Sequence, residues 1–170
     1  MPEVPYDELR WEVVRGAAGQ LGEQPAGHGR VLSGVAVDFP AASGGPTRDG
    51  AAVFAPDLAV LSREAVRGGR GRFGAAGVEA VLEVARPGLE PAARAYAHGG
   101  VPVYLVVDPA AAVCTVHTAP SPDGVYREAE RVPFGNDVFL PLGGRTVVLR
   151  TDEFPTPGSD PGVSRGIVDG

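Results

Sequence analysis

The chain has 170 residues, an apolar content of 44% and a formal net charge of −6. That is enough chain to bury a core as one domain, and no run approaches the roughly 20 apolar residues needed to cross a bilayer. The acidic balance argues against a generic polyanion binder, whose footprint is a basic patch. It leaves metal chemistry open, because carboxylates that hold a cation keep a site acidic until the cation arrives. All 15 basic residues are arginine; the chain contains no lysine. Arginine-only basicity with abundant Ala, Gly and Pro is also what a GC-rich genome yields. The single cysteine, Cys114, cannot form an internal disulfide and is expected to be a buried, inert thiol. With an acidic start that lacks an apolar signal core, this points to the cytoplasm.

In chain order, "YDELRWEVVRG" (6–16) reads as a helical turn passing into a strand, and "AGQLGEQ" as a short returning strand. Residues 28–42 are expected to form a helix, interrupted by glycines and Pro40. "SGGPTRDG" (43–50) is a loop. "AAVFAPDLAVL" (51–61) reads as one strand, with Pro56 at an edge or bulge. A flexible arginine–glycine connection follows, with one helical turn at its start. "VEAVLEVA" (78–85) is a strand covered on both faces, and "LEPAARAYAHGG" a short helix ended by Gly99 and Gly100. "VPVYLVVD" (101–108) is the strongest strand. A strand–helix–strand order between two such strands makes them parallel neighbours. Four short runs punctuated by turn residues then form an antiparallel meander. The fold class is α/β, a mixed sheet flanked by helices with a C-terminal antiparallel extension. One domain covers 1–156, and 157–170 has the composition of a disordered tail.

Two acids stand out. Asp57 and Glu83 each interrupt an apolar run, where a carboxylate is costly unless it is paired or bound to metal. Two carboxylates on adjacent strands suffice for Mg²⁺, which keeps several of its waters, and a cation so held can polarise a phosphoryl oxygen and deliver hydroxide. The alternative is a solvent-facing position or pairing with arginine. Glu79 lies at even spacing from Glu83 and shares its face. Arg63, Arg67, Arg70 and Arg72 lie between glycines in the connection joining the two acidic strands, suited to a phosphate backbone or simply to solvent. Of the aromatics, only Phe73 is close enough in sequence to stack there. His28, His98 and His117 have no metal-ligand spacing and read as structural, and Asp108 reads as a turn former.

Taken together, "FAPDLAVL", "AVLEVARPG" and "YAHGGVPVYLVVDP" resemble segments of the Uma-two family of restriction-endonuclease-like proteins in the PD-(D/E)XK nuclease superfamily. "LRWEVVRG" resembles its first strand, and the likeness spans roughly residues 6 to 155. The resemblance implies a restriction-endonuclease-like fold and a metal-dependent nuclease, with Asp57 and Glu83 as ligands of Mg²⁺ or Mn²⁺ and Glu12 as a supporting acid from a helix or the first strand. It implies nucleic acid, DNA foremost, as substrate; a homodimer is a separate expectation that the resemblance does not supply. Three departures matter. The lysine the family places one helical turn before the tyrosine falls on Ala92. The position two after Glu83, where the wider superfamily places a lysine, is Ala85. The spacer from Glu83 to the helix is short. Arg86 or Arg94 could replace the missing charge, although arginine cannot serve as a base. The rival reading is therefore a catalytically degenerate nuclease fold acting as a nucleic-acid or protein interaction module. An arginine bridging the two acids favours it.

Overall fold

The computed structural model describes residues 6–23, 30–40, 47–48, 51–68 and 73–158. Its elements are α1 (Tyr6–Glu23), β1 (Arg30–Leu32), β2 (Val37–Pro40), β3 (Thr47–Arg48), β4 (Ala51–Phe54), β5 (Leu58–Leu61), α2 (Arg63–Gly68), β6 (Phe73–Gly74) and β7 (Val78–Val84). They continue with α3 (Glu90–His98), β8 (Val103–Asp108), β9 (Val113–Pro120), β10 (Tyr126–Pro133), β11 (Asp137–Leu142) and β12 (Arg145–Arg150). A six-stranded sheet in the order β1-β5-β7-β8-β9-β10 forms the centre. Within it only β7 and β8 run parallel, linked through α3, and the other neighbours are antiparallel. The parallel pair is as the two apolar runs predict. A four-stranded sheet β3-β4-β2-β6 and the hairpin β11-β12 complete the fold. The α/β class and the C-terminal antiparallel strands agree with the sequence reading.

The central sheet separates two cores. On one side Ala80, Leu82, Val84, Val103, Leu105 and Val107 pack against Val13, Val14 and Ala17 of α1 and against Val138, Leu140, Val147 and Leu149 of the hairpin. On the other, Ala59, Leu61, Val81 and Tyr104 pack against Tyr96, Ala92 and Ala95 of α3 and Val37 and Phe39 of β2. Period-two alternation decides which core each strand residue joins.

Three expectations for the N-terminal part are corrected. Residues 6–23 form one 18-residue helix rather than a turn and two strands. Leu9, Val13 and Ala17 recur every four residues and are buried together, so burial of one helical stripe overrides the cost of Gly16, Gly19 and Gly22. Residues 30–40 form two strands rather than a helix: Val37 and Phe39 alternate inward, and Gly34 takes a left-handed φ of 65° in the turn before them. The run 51–61 is two strands in two different sheets, broken at Ala55–Pro56–Asp57. Pro56 has no N–H to continue a ladder, and the break releases Asp57 from strand pairing.

Later elements match their sequence signals. Residues 63–68 supply the helical turn. The α3 helix ends where Gly100 turns left-handed (φ 78°), and a Cβ at Gly99 would come within 2.9 Å of Phe39. Thr47–Arg48 pairs with β4 inside the stretch read as a loop. Of the expected tail, Pro157 and Gly158 form a turn; the remainder lies outside the described residues.

Candidate functional site

Alternation along β7 turns Leu82 and Val84 to the α1 side and Glu83 to the α3 side, where it is only 1% exposed. On α3, Tyr96 lies above it and its hydroxyl donates to Glu83 Oε1 at 2.7 Å. The β4–β5 break brings Asp57 alongside. The Val84 N–H donates to Asp57 Oδ2 at 2.8 Å, and the Asp57 N–H faces Glu83 Oε2 at 3.4 Å. These reciprocal contacts dock the break onto the end of β7.

Two arginines close the cluster. Arg86, just beyond β7, donates Nη1 to Asp57 Oδ2 and Nη2 to Glu83 Oε2, each at 3.1 Å, so its planar fork spans both acids. Its Nη1 also reaches the Val84 carbonyl at 3.3 Å. From α1, Arg10 donates Nε to Asp57 Oδ1 at 2.9 Å, and its Nη2 pairs with the same oxygen. Burial pushes the Glu83 carboxyl above its ordinary value and the nearby Asp57 charge adds to this, while the Tyr96 hydroxyl and Arg86 oppose it. Burial, followed by the Glu83 charge, pushes the Tyr96 hydroxyl far up, so it stays a donor throughout the ordinary pH range.

A divalent cation does not fit this arrangement. Every carboxylate oxygen of the pair already accepts an N–H or O–H, and the point between Asp57 Oδ2 and Glu83 Oε2 is filled by the Arg86 guanidinium. Two guanidiniums already balance two carboxylates, so a divalent ion would have to displace arginine to reach its ligands. Among the described residues, no group of three or more His, Cys, Asp or Glu side chains is placed to hold a metal ion.

The other sequence candidates are scattered. Glu12 sits half-buried on α1, the helix placement being one of the two the resemblance allows. Two positions from Arg10 is a different side of the helix, and it is Arg10 that α1 brings to Asp57. Arg94 is exposed on α3 beside the Gly124 turn. Ala92, where the resemblance leads one to expect a lysine, lies one turn before Tyr96 on the buried side. Glu79 is half-buried, and its Oε2 has no hydrogen-bond partner among the described residues. Arg63 is exposed on α2 and Arg67 lies in the same helix, while Arg70, Arg72 and His28 lie outside the described residues.

Phe73 is 9% exposed and belongs to the core, so it offers no stacking surface. His98 Nδ1 donates to the Pro122 carbonyl at 2.7 Å, and His117 stacks on Tyr104. Asp108 Oδ1 accepts the Ala111 N–H in a turn. Cys114 is buried, and burial pushes its thiol up to about 12. Sequence reasoning missed Arg10, Tyr96 and Trp11. The sequence carries only a partial signal for Arg10: a four-residue apolar period through Leu9, Val13 and Ala17 is compatible with a helix bearing Arg10 and Trp11 beside its buried stripe, but it does not point to Asp57.

The geometry sits in a known frame. Residues 3–150 match the family described as "Putative restriction endonuclease" (Uma2). No curated protein matches the chain. Among solved structures, one titled a "putative nuclease belonging to DUF820", from Anabaena variabilis, superposes with a TM-score of 0.52 at 16% identity, covering 84% of this chain and 74% of that one. At that identity the likeness carries the fold. The chain belongs to the Uma2 family of restriction-endonuclease-like proteins.

Proposed function

We propose that this protein binds nucleic acid through a restriction-endonuclease-like fold in which arginine has taken the cation's place between Asp57 and Glu83, so that it holds phosphodiesters without hydrolysing them. The observation that carries the reading is the Arg86 fork donating to both carboxylates. It converts an acid pair that would recruit a cation into a neutral, hydrogen-bonded cluster. The absence of lysine removes the mobile charge the family would place near an attacking water. DNA as the favoured nucleic acid, a homodimer and a cytoplasmic location belong to this proposal.

A second reading is favoured by the side-by-side placement of Asp57 and Glu83 in this chain. In it, Asp57 and Glu83 hold Mg²⁺ or Mn²⁺ after Arg86 has swung away, and Glu12 assists. When bound, the ion would polarise a phosphoryl oxygen and acidify a water. The residues' own part would be to release arginine and expose their oxygens.

The deciding experiment incubates the folded chain with mixed DNA and RNA in Mg²⁺ and in Mn²⁺, with a chelator control and Glu83→Ala alongside. The expected result is retained binding and no cleavage. Cleavage abolished both by the chelator and by Glu83→Ala would establish the second reading instead.

A further inference from the structure

We propose that a cavity beside Asp57 receives one unpaired base of a single-stranded nucleic acid, stacked on Trp11. The cavity has a volume of about 390 Å³ and is lined by Asp7, Arg10, Trp11, Ser33, Pro56 and Asp57, among others. That volume lies in the range usual for small-ligand pockets, roughly 300–1,000 Å³. This deepens the nucleic-acid reading above and rests on it.

Trp11 is 62% exposed. A solitary exposed apolar residue needs no explanation, but this one is a large indole at a cavity rim, next to a cation that is already immobilised. Arg10 is held by Asp57 through Nε and Nη2, so little ordering remains when a ligand arrives. Its side chain is still 39% exposed. An aromatic face beside a fixed guanidinium is the pairing by which single strands are held, with the base stacked and the phosphate near the cation.

The charges say which part of a nucleotide enters. Asp7 and Asp57 both line the cavity; the Asp57 oxygens are occupied by Arg10, Arg86 and the Val84 N–H, so it is the exposed Asp7 carboxylate that repels a phosphate while accepting N–H groups from a base edge. The base therefore enters and the phosphate stays at the rim, towards Arg10. A duplex cannot offer a free base face without unpairing. Gly34, whose backbone is left-handed at φ 65°, also lines the cavity, and a Cβ built there would meet nothing within 4 Å beyond its own chain neighbours.

Trp11 is the only tryptophan of the chain, so its emission reports contact at this cavity alone. The test titrates the full chain with short single-stranded DNA of mixed sequence, and with the same sequence as duplex, while reading tryptophan fluorescence. Binding of Trp11→Ala and Trp11→Phe is measured separately by anisotropy of a labelled strand. Saturable quenching by the single strand is expected, with much less from duplex. Trp11→Ala should weaken single-strand binding about tenfold, and Trp11→Phe should retain most of it. The exposure of Trp11 makes both variants safe for folding, checked by circular dichroism.

Single-strand binding with unchanged emission, and equal affinity for Trp11→Ala, would overturn the cavity assignment while leaving the nucleic-acid reading intact. Emission that shifts with protein concentration alone would overturn it in favour of a contact between copies of the chain. Failure to bind single-stranded DNA, duplex DNA or RNA would remove the nucleic-acid reading, and this inference with it.

Discussion

The two faces of the central sheet share strands but solve different problems. Towards α1, β7 presents Ala80, Leu82 and Val84 to a wholly apolar layer closed by the hairpin. Towards α3, the same strand presents Val81 and Glu83. There the layer carries an aromatic run through Phe39, Tyr96 and Tyr104 and ends in four charged groups. The dry layer gains stability from non-directional burial. The polar layer gains little net free energy, because desolvating charges offsets their attraction, but it fixes where Asp57, Glu83 and two arginines stand. A fold can thus keep two buried acids in place, provided each finds a cation to pair with.

The sharpest way to break the comparison is in the dry layer. Leu82→Ala should cost about 3 kcal/mol in urea unfolding and leave nucleic-acid affinity of the folded protein unchanged.

In the polar layer, Arg86→Ala leaves two acids short of a partner. Because Arg86 is 29% exposed, solvent tempers the loss to about 2 kcal/mol. The informative readout is calorimetric: the variant should bind Mn²⁺ more tightly than the native chain. Equal, strong Mn²⁺ binding by both would contradict the arginine-for-cation reading. Arg86→Lys, with a single ammonium in place of a fork, should satisfy one acid at a time and fall between.

Smaller still is Tyr96→Phe, which removes one hydrogen bond to a carboxylate and should cost about 1.5 kcal/mol. It should leave the Arg86 bridge in place.

The smallest effect is one of pH. Burial holds the Glu83 carboxyl above its ordinary 4.5 in the folded state, so between pH 4.5 and that raised value the folded protein holds a proton there that the unfolded chain has released. Its contribution to stability is full below pH 4.5 and is lost as pH rises through the elevated value. Glu83→Gln should flatten that fall in unfolding midpoints measured across the acidic range. An unchanged slope would mean that the proton sits elsewhere.

How much of this was legible in the sequence follows from the range of each interaction. The strands at 78–84 and 103–108, the helix at 90–98 and the C-terminal strands carry their signals locally, in apolar runs, glycine stops and alternation. Their parallel pairing followed because a helix has to lie between them. The α1 helix was obscured by three glycines and adjacent valines, whose poor helix propensity is outweighed only by burial against β7 and β12. The division of 51–61 between two sheets is likewise decided by which neighbours each half can pair with.

Residue types and alternation alone mark Asp57 and Glu83 as costly carboxylates that need partners, and the chain's composition states that no lysine can be one of them. Which cations answer is a tertiary matter. Arg86 and Glu83 are three apart in sequence, but Arg10 and Asp57 are 47 apart. A contact across that span is set by the docking of α1 on the sheet, which no local pattern encodes.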